Sequence, residues 1–225
     1  MDIIIKKIKQ ITKSVYREIS PWLSERFRWY LSQKIEKRAW KRWLKKKLFT
    51  RHKKWLDKVL KYFELEGKEN LKDKTLVDIG SGPIGILTRL KAKEKIAVDP
   101  IPFNSIDASI KIIKAPGEEI PLNSQIADCV FLYNVLQHVM SPERVLNESA
   151  RILKPGGSFY ILEQLNIPTD PIHLHSLKLE MFDKWILKNN FKIIKKTIES
   201  DYSFNFDSFI PGSGYAILCL ILVKI

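Results

Sequence analysis

The spacing of hydrophobic residues divides the chain into two parts with different periods. In residues 1–66, apolar side chains recur every three or four positions with lysine and arginine between them, which predicts amphipathic helices. From Thr75 onward, short apolar runs alternate with helical segments, a pattern typical of parallel strands joined by helices. We therefore predict a basic helical extension over residues 1–67 and an α/β domain over residues 68–225.

Three helices are predicted in the extension. The first covers residues 1–19. Ser20 and Pro21 suit the N-cap and first position of the second helix, and Thr50 suits the cap of the third, with Gly67 beyond its end. The apolar faces expected for the second and third helices are Leu23, Phe27, Leu31 and Ile35, and then Trp55, Leu56, Val59, Leu60 and Phe63.

Seven strands and three helices are predicted in the α/β domain. The strands are expected at 75–79, 95–98, 110–115, 127–133, 158–163, 191–198 and 215–224. The helices are expected at 83–93, at 142–153 with Ser141 as N-cap, and at 177–189. Residues 199–214 contain proline and glycine but no helical pattern, so the last two strands should pair antiparallel. The prediction is a mostly parallel sheet with one reversed strand.

Charge is distributed unevenly between the two parts. The chain has a formal net charge of +14, and residues 1–66 carry 20 Lys and Arg against 7 Asp and Glu, whereas the remainder carries 19 against 18. Five of the six tryptophans also lie in the extension. Such a region fits a solvated helical face packed on the α/β domain, a contact with an anionic membrane surface, or a contact with RNA.

The remaining composition indicates an ordinary cytoplasmic protein, with peripheral membrane attachment as an alternative. Cys129 and Cys219 both stand in apolar runs, which favours small core residues over a disulfide or a metal site. The longest apolar run, residues 215–223, is far shorter than the roughly 20 residues of a membrane-spanning helix. The N-terminus also lacks the apolar core of a secretory signal.

Residues 75–85, with the sequence TLVDIGSGPIG, read as a strand, a tight turn and a helix start. Glycines in such a turn can adopt positive φ and allow a ligand to approach the backbone. The G-x-G-x-x-G spacing predicts a nucleotide-like ligand but does not separate a dinucleotide from another adenosine-containing cofactor.

The chain closely resembles the class I S-adenosylmethionine-dependent methyltransferases of the small-molecule type over about residues 70–225. The resemblance rests on four segments in the family's order: VDIGSGPIG, IAVDP, GEEIPLNSQIADCVFLYNVLQHV and ERVLNESARILKPGGSFYI. It implies a Rossmann-like sheet whose last strand is antiparallel, and S-adenosylmethionine as the cofactor. Pro116 stands where the family often has an acid that contacts adenine.

The resemblance also assigns roles to residues of the cofactor site. It places Asp78 near the methionine part, Asp99 at the ribose diol and Glu118 near the adenine, while Asn134 and Val135 should line the pocket beside the sulfonium. The complete predicted cofactor-binding set is Asp78, Gly80, Ser81, Gly82, Asp99, Pro100, Gly117, Glu118, Asn134 and Val135.

Methyl transfer from a sulfonium is an in-line displacement that mainly requires alignment of the nucleophile with the methyl carbon. A general base is needed only for a hydroxyl or a protonated amine. The candidates are His138, Glu163, His173 and His175, which lie after the fourth and fifth strands, where ligands bind in open sheets. His173 and His175 alone do not make a metal site, and none is predicted.

The predicted function is transfer of a methyl group to a small-molecule acceptor or to a lipid- or sugar-linked one. Two alternatives remain open. One is an RNA methyltransferase whose basic helices bind phosphates. The other is a non-catalytic scaffold protein that keeps the cofactor fold and recruits a partner through its extension.

Overall fold

A computed structural model describes residue 18 and residues 20–45, 48–66, 71–101, 103, 107–200 and 216–225. The helix predicted over residues 1–19 therefore lies outside the described residues, apart from Glu18. The helices are α1 (Glu25–Lys45), α2 (Leu48–Tyr62), α3 (Pro142–Ile152) and α4 (Leu179–Lys188). The strands are β1 (Thr75–Ile79), β2 (Glu94–Val98), β3 (Ile110–Ile113), β4 (Ala127–Tyr133), β5 (Leu153–Leu165), β6 (Phe191–Ser200) and β7 (Ala216–Lys224).

The seven strands form one sheet in the order β3-β2-β1-β4-β5-β7-β6. Strands β1 to β5 pair in parallel, and β7 is antiparallel to both β5 and β6. The predicted α/β fold with one reversed strand is therefore confirmed. The chain runs outward from β1 to β3 and then returns to β4 on the other side of β1, so a crevice opens at the carboxyl ends of β1 and β4.

The helix predicted over residues 83–93 is wrong, because only a short 3₁₀ turn forms there, at Ile86–Arg89. Ile86 and Leu87 are fully buried in the same hydrophobic cluster as Leu56 and Val59 of α2. Since α2 already covers this face of the sheet, the segment packs beneath it as a turn. Tertiary burial has overridden the helical pattern of these residues.

The caps predicted for the first two described helices are also wrong. Ser20 begins a 3₁₀ turn, and its carbonyl oxygen accepts a hydrogen bond from the Leu23 N–H. Ser24 caps α1 instead, because its side-chain oxygen accepts from the Phe27 N–H at 3.3 Å. Thr50 lies within α2, which begins at Leu48.

The start of α3 follows the prediction. Ser141 is its N-cap and accepts a hydrogen bond from the Arg144 N–H, with Pro142 at the first helical position. The Lys-Pro-Gly-Gly segment that follows α3 is an irregular part of β5, where the register against β4 shifts between Ala127 and Cys129.

The core consists of two hydrophobic clusters, and α2 is an integral part of one of them. Phe63, just after α2, is fully buried and its ring centroid lies 5.3 Å from that of Tyr160 and 6.1 Å from that of Phe131. Helices α3 and α4 contribute to the other cluster. Both cysteines are buried and free, as predicted. The domain boundary after residue 67 stays a prediction, and one cluster contains residues from both sides of it.

Helix α1 is less deeply packed. The apolar face predicted for this helix is correct for Leu31, which is buried, but Phe27 is 45% exposed. Two hydrogen bonds from α1 reach the loops beyond β4 and β5: Ser32 Oγ donates to the Ile172 carbonyl at 3.1 Å, and Gln33 Nε2 donates to the His138 carbonyl at 3.5 Å. In the described part of the chain, no helix is both long and apolar enough to cross a membrane.

Candidate functional site

A cleft with an empty volume of about 460 Å³ opens where β1, β2 and β4 end, and α1 forms its opposite wall. Of the predicted site residues, the cleft is lined by Gly80, Asp99, Pro100, Gly117, Glu118, Asn134, Val135 and His138. Pro116 and Ile101 also belong to the lining. These residues come from four separate segments of the sequence, and the sheet brings them together because parallel strands end at the same edge.

The glycine turn after β1 is fixed by close contacts that exclude other side chains. Gly80 has φ +69° and Gly82 has φ +58°, both in the left-handed region. A Cβ atom on Gly80 would lie 2.6 Å from Cγ1 of Val135, and the Gly80 N–H donates to the Val98 carbonyl at 2.7 Å. The backbone of the turn therefore lies directly against the ends of β2 and β4.

Asp99 follows β2 and connects the glycine turn to the next loop. Its Oδ2 accepts from the Gly82 N–H at 3.0 Å, and its Oδ1 accepts from the Ile101 N–H at 2.8 Å. The residue is only 3% exposed, and burial raises the pKa of the carboxyl group to about 6 although the two N–H donors oppose that rise. Each oxygen keeps a second lone pair for a ligand hydroxyl in the cleft.

Asp78 and Ser81 lie behind the glycine turn and not in the lining. The Asp78 carboxyl group is fully buried, and neither oxygen has a well-formed hydrogen bond within the described residues. Burial raises the pKa of Asp78 well above its usual value, and the nearby Ile86 N–H opposes that rise. Ser81 is buried, and its hydroxyl donates to the Gly82 carbonyl.

Two buried glutamates hold the backbone around the cleft. Glu118 Oε1 accepts from the N–H groups of Met140 and Ser141, at 2.6 and 3.0 Å. Glu163 Oε1 accepts from the N–H groups of Val135 and Leu136, at 2.8 and 3.0 Å. The second oxygen of each carboxyl group is buried without a partner among the described residues. Only Glu118 lines the cleft, so the geometry around Glu163 is that of a backbone brace.

Asn134 ends β4 in the left-handed region, with φ +56°. Its N–H donates to the Leu162 carbonyl, and its side-chain Oδ1 accepts from Gln137 Nε2 at 2.8 Å. This conformation turns the chain sharply, so that Asn134, Val135 and His138 all reach the cleft.

Of the three candidate histidines, only His138 lines the cleft. Its Nδ1 lies 3.1 Å from the Ile172 carbonyl. Because a carbonyl can only accept, Nδ1 carries the hydrogen and Nε2 keeps a lone pair. Burial, and secondarily the neighbouring His173, lower the pKa of His138 to about 3, so the ring is neutral at physiological pH.

His173 and His175 support the loop behind His138. The ring of His173 lies 5.0 Å from that of His138, and its Nδ1 is 3.1 Å from Asp170 Oδ1. His175 Nε2 contacts the Val139 carbonyl at 2.9 Å. Across the described ranges, no group of three or more His, Cys, Asp or Glu side chains is arranged to hold a metal ion.

The site residues predicted from the sequence do not include the side chains that α1 contributes to the cleft. They recur along one face of the helix and are Trp29, Gln33, Glu36 and Trp40. The Trp40 ring faces the glycine turn, since a Cβ atom on Gly82 would lie 3.4 Å from its Cζ2. The helical spacing of these four residues indicated that they share one face of the helix. The prediction for this helix used the neighbouring apolar residues instead.

The cleft is acidic within a basic protein. Among the residues that the structure describes, its lining includes the carboxyl groups of Glu36, Asp99 and Glu118 but no lysine or arginine, although the chain has a net charge of +14. Burial, and secondarily Asp99, raise the pKa of Glu36 to about 8. This arrangement suits a cationic ligand, which would lower the cost of ionising the neighbouring carboxyl groups.

The family comparison agrees with this geometry. Residues 66–161 match the family model described as a methyltransferase domain. An uncharacterized methyltransferase of Mycobacterium tuberculosis is 34% identical over 89 residues, which cover 36% of each chain. A tRNA U34 carboxymethyltransferase of Saccharophagus degradans is 32% identical over 111 residues, covering 43% of this chain and 34% of that relative. The matched segment thus spans about a third of the length of these curated relatives.

Solved structures show the same fold. The geranyl diphosphate C-methyltransferase of Streptomyces coelicolor, determined with S-adenosyl-L-homocysteine, aligns with a TM-score of 0.57 at 13% identity. The alignment covers 77% of this chain and 82% of that structure. The family match over residues 66–161 and the order of the strands together support a methyltransferase domain with a Rossmann-like fold in this chain.

Proposed function

We propose that the protein transfers the methyl group of S-adenosylmethionine to a small-molecule acceptor or to a lipid- or sugar-linked one. The observation that carries the proposal is the acidic cleft centred on Asp99, at the switch point of a methyltransferase-type sheet. The complex of the Streptomyces coelicolor relative with S-adenosyl-L-homocysteine supports the choice of cofactor.

The residues of the cleft fit this cofactor. S-adenosylmethionine carries a sulfonium, an ammonium and one carboxylate, so its net charge is positive, and the described lining offers Glu36, Asp99 and Glu118 without a lysine or arginine. The free lone pairs of Asp99 can accept hydrogen bonds from the ribose hydroxyls. Gly80 and Gly82 would let the cofactor approach the backbone closely. When bound, the sulfonium supplies an already activated methyl group.

We assign α1 to the same binding site. Glu36 and Trp40 lie across the cleft from Asp99 and the glycine turn, so a ligand in the cleft would be enclosed between α1 and the sheet. An aromatic ring facing the turn adds apolar contact and excludes water from the reacting groups. The donor site is therefore built from both parts of the sequence.

His138 is the candidate that contacts the acceptor. With Nδ1 bound to the Ile172 carbonyl, its Nε2 can accept a hydrogen bond from an acceptor hydroxyl or amine. A pKa near 3 makes it a weak base at neutral pH, so its role would be orientation of the nucleophile and not storage of a proton. His173, His175 and Glu163 would act as positioning residues for the surrounding backbone.

Calorimetric titration with S-adenosylmethionine tests the cofactor assignment. Because hydrogen bonds to a charged group contribute about 1.5–3 kcal/mol, Asp99→Asn should weaken binding by about tenfold to a hundredfold. Asp128→Asn is a matched control, since Asp128 lies in β4 away from the cleft lining and accepts from the Thr75 N–H and Lys154. Folded protein that does not bind the cofactor, or that binds it equally well as Asp99→Asn, would refute the assignment.

An RNA methyltransferase is the second candidate, favoured by the Saccharophagus degradans relative that is named as a tRNA enzyme. Gel-shift titrations with tRNA over a range of salt concentrations separate the two candidates. RNA binding at low salt that falls steeply as salt rises would support this alternative. Failure to bind at low salt would exclude it, and methyl transfer to any member of a small-molecule or lipid panel would exclude a purely structural scaffold.

A further inference from the structure

The outward side of α1 carries a continuous stripe of basic and aromatic residues. Successive residues of an α-helix are rotated by about 100° around its axis. Along residues 25–41, every residue on one arc that is about 100° wide is basic or aromatic. These six residues, which we call the outer stripe, are Arg26, Phe27, Tyr30, Lys34, Lys37 and Lys41. The residues of α1 that line the cleft fall in a separate arc of the same helix.

Both acidic residues of this part of α1 lie outside the outer stripe. Glu36 belongs to the arc that lines the cleft, and Glu25 is at the start of the helix on the same side as Glu36. Four of the six basic residues in 25–41 lie on the outer stripe and neither acidic residue does, although Arg28 and Arg38 lie elsewhere on the helix. Such separation is expected where a helix contacts an anionic partner on one side.

Large aromatic side chains are exposed beside these cations. Trp22, in the turn before α1, is 89% exposed, Phe27 is 45% exposed and Tyr30 is 38% exposed. The Lys34 ammonium group lies 5.1 Å from the centroid of the Tyr30 ring. A tryptophan left almost entirely in water contributes nothing to the core, whereas the indole ring is favoured at the boundary between lipid headgroups and acyl chains.

The shape of this surface distinguishes between anionic partners. Proteins that bind single-stranded nucleic acid combine a basic groove with stacking rings along it. The outer stripe is instead the convex side of a single helix, which matches a planar surface better than a flexible strand.

We infer that Trp22 and the outer stripe dock the protein on an anionic lipid bilayer. The cations would contact the lipid phosphates, and the aromatic rings would enter the headgroup region. Because the same helix forms one wall of the cleft, docking would hold the cleft close to the bilayer surface. The inference concerns a surface outside the cofactor site, so it does not depend on the proposed methyl transfer.

Vesicle co-sedimentation tests the inference with the full chain. The protein should bind vesicles of phosphatidylcholine and phosphatidylglycerol in a two-to-one ratio, bind phosphatidylcholine alone weakly, and dissociate as salt rises. Because each basic residue near an anionic surface contributes about fivefold, Lys34→Glu, Lys37→Glu and Lys41→Glu combined should weaken binding by at least about a hundredfold. Trp22→Ala should weaken it by about tenfold.

Two control variants separate the stripe from general charge and exposure. The charge control combines Lys91→Glu, Lys184→Glu and Lys192→Glu, which change the net charge by the same amount at exposed sites on the α/β domain. The second control is Leu187→Ala, which removes an apolar side chain that is 84% exposed. Both should retain most of the vesicle binding. The inference is overturned if the charge control loses as much as the stripe variant, or if vesicles fail to bind at low salt. It is also overturned if Trp22→Ala only abolishes self-association, or if tRNA binds where vesicles do not.

Discussion

Helices α1 and α2 follow one another in the same basic stretch of sequence, yet the fold uses them differently. In α2, Leu56 and Val59 are fully buried against the sheet, whereas most described side chains of α1 remain exposed or half-buried. Helix α1 instead presents one arc to the cleft and another to the outside. Basic composition alone therefore does not define an appendage: α2 is part of the structural core, and α1 is part of the candidate functional site.

The largest difference should appear in stability. Phe63→Ala would remove a ring, directly after α2, that is fully buried against Phe131 and Tyr160, and we expect a loss of about 3–5 kcal/mol in the free energy of unfolding. Phe27→Ala makes the same chemical change in α1, at a ring that is 45% exposed, and should cost less than about 1 kcal/mol. Urea denaturation of both variants measures this, and similar losses would mean that α1 is packed as firmly as α2.

Gly80 and Gly82 in the glycine turn make a second comparison, since one faces the sheet and the other faces α1. Both have positive φ, so alanine strains the backbone by about 1–2 kcal/mol in either case. In Gly80→Ala the new Cβ would also lie 2.6 Å from buried Val135, which should add about 1–3 kcal/mol of overpacking. In Gly82→Ala the nearest atom is Trp40 Cζ2 at 3.4 Å. Gly80→Ala should therefore have the lower melting temperature. The reverse order would show that α1 accommodates an added methyl group less easily than the core does.

Donor affinity should reveal what α1 contributes to the cleft. Trp40→Ala removes the ring that faces the glycine turn, and we expect S-adenosylmethionine to bind about tenfold more weakly, because one aromatic contact contributes about 1–1.5 kcal/mol. Lys37→Ala alters the outer stripe of the same helix and should leave the calorimetric affinity unchanged. Equal affinities of the two variants for S-adenosylmethionine would mean that α1 does not contribute to binding of the methyl donor.

The smallest expected effect is the dependence of stability on pH. The folded-state pKa is raised from 4.5 to about 7 for Glu163 and to about 8 for Glu36. The folded state therefore holds protons that the unfolded state has lost, and stability should fall as pH rises through this window. His138 acts in the opposite sense, because its pKa is lowered from 6.5 to about 3, so stability should also fall as pH drops below about 6.5.

Thermal unfolding between about pH 6.5 and 8.5 separates the core glutamate from the α1 glutamate. Ionisation of Glu163 should lower the free energy of unfolding by about 1 kcal/mol over this range, or the melting temperature by about 2–4 °C. Glu163→Gln should remove this fall, because the glutamine side-chain oxygen can still accept from the Val135 and Leu136 N–H groups. Glu36→Gln should remove the part of the fall that continues up to about pH 8, because burial raises the pKa of Glu36 further than that of Glu163. An unchanged pH profile in both variants would contradict these assignments.

Much of the fold could be predicted because it depends on local hydrophobic periods. The strands at Thr75–Ile79 and Ala127–Tyr133 occur where the apolar runs predicted them, and Ser141 caps α3 as expected. Predictions failed where packing decided between local alternatives. Ile86 and Leu87 follow a helical pattern but are buried under α2, and Ser24 caps α1 in place of Ser20.

The candidate site shows the same division. The order of the motifs in the sequence located Gly80, Asp99, Glu118 and Asn134, because residues that follow successive parallel strands must meet at one edge of the sheet. It could not separate His138, which lines the cleft, from His173 and His175, which support the loop behind it. That separation depends on contacts between loops distant in the sequence.

The sequence by itself determined the α/β class, the strand-end acids and the glycine turn, since each follows from short-range periodicity and spacing. Only the tertiary structure decided that α2 completes the core and that α1 closes the cleft with Glu36 and Trp40. The physical reason is that a helix has several faces, and its sequence does not specify which face meets the sheet. Contacts distant in the sequence make that choice, through the apolar area that they bury and the backbone groups that they satisfy.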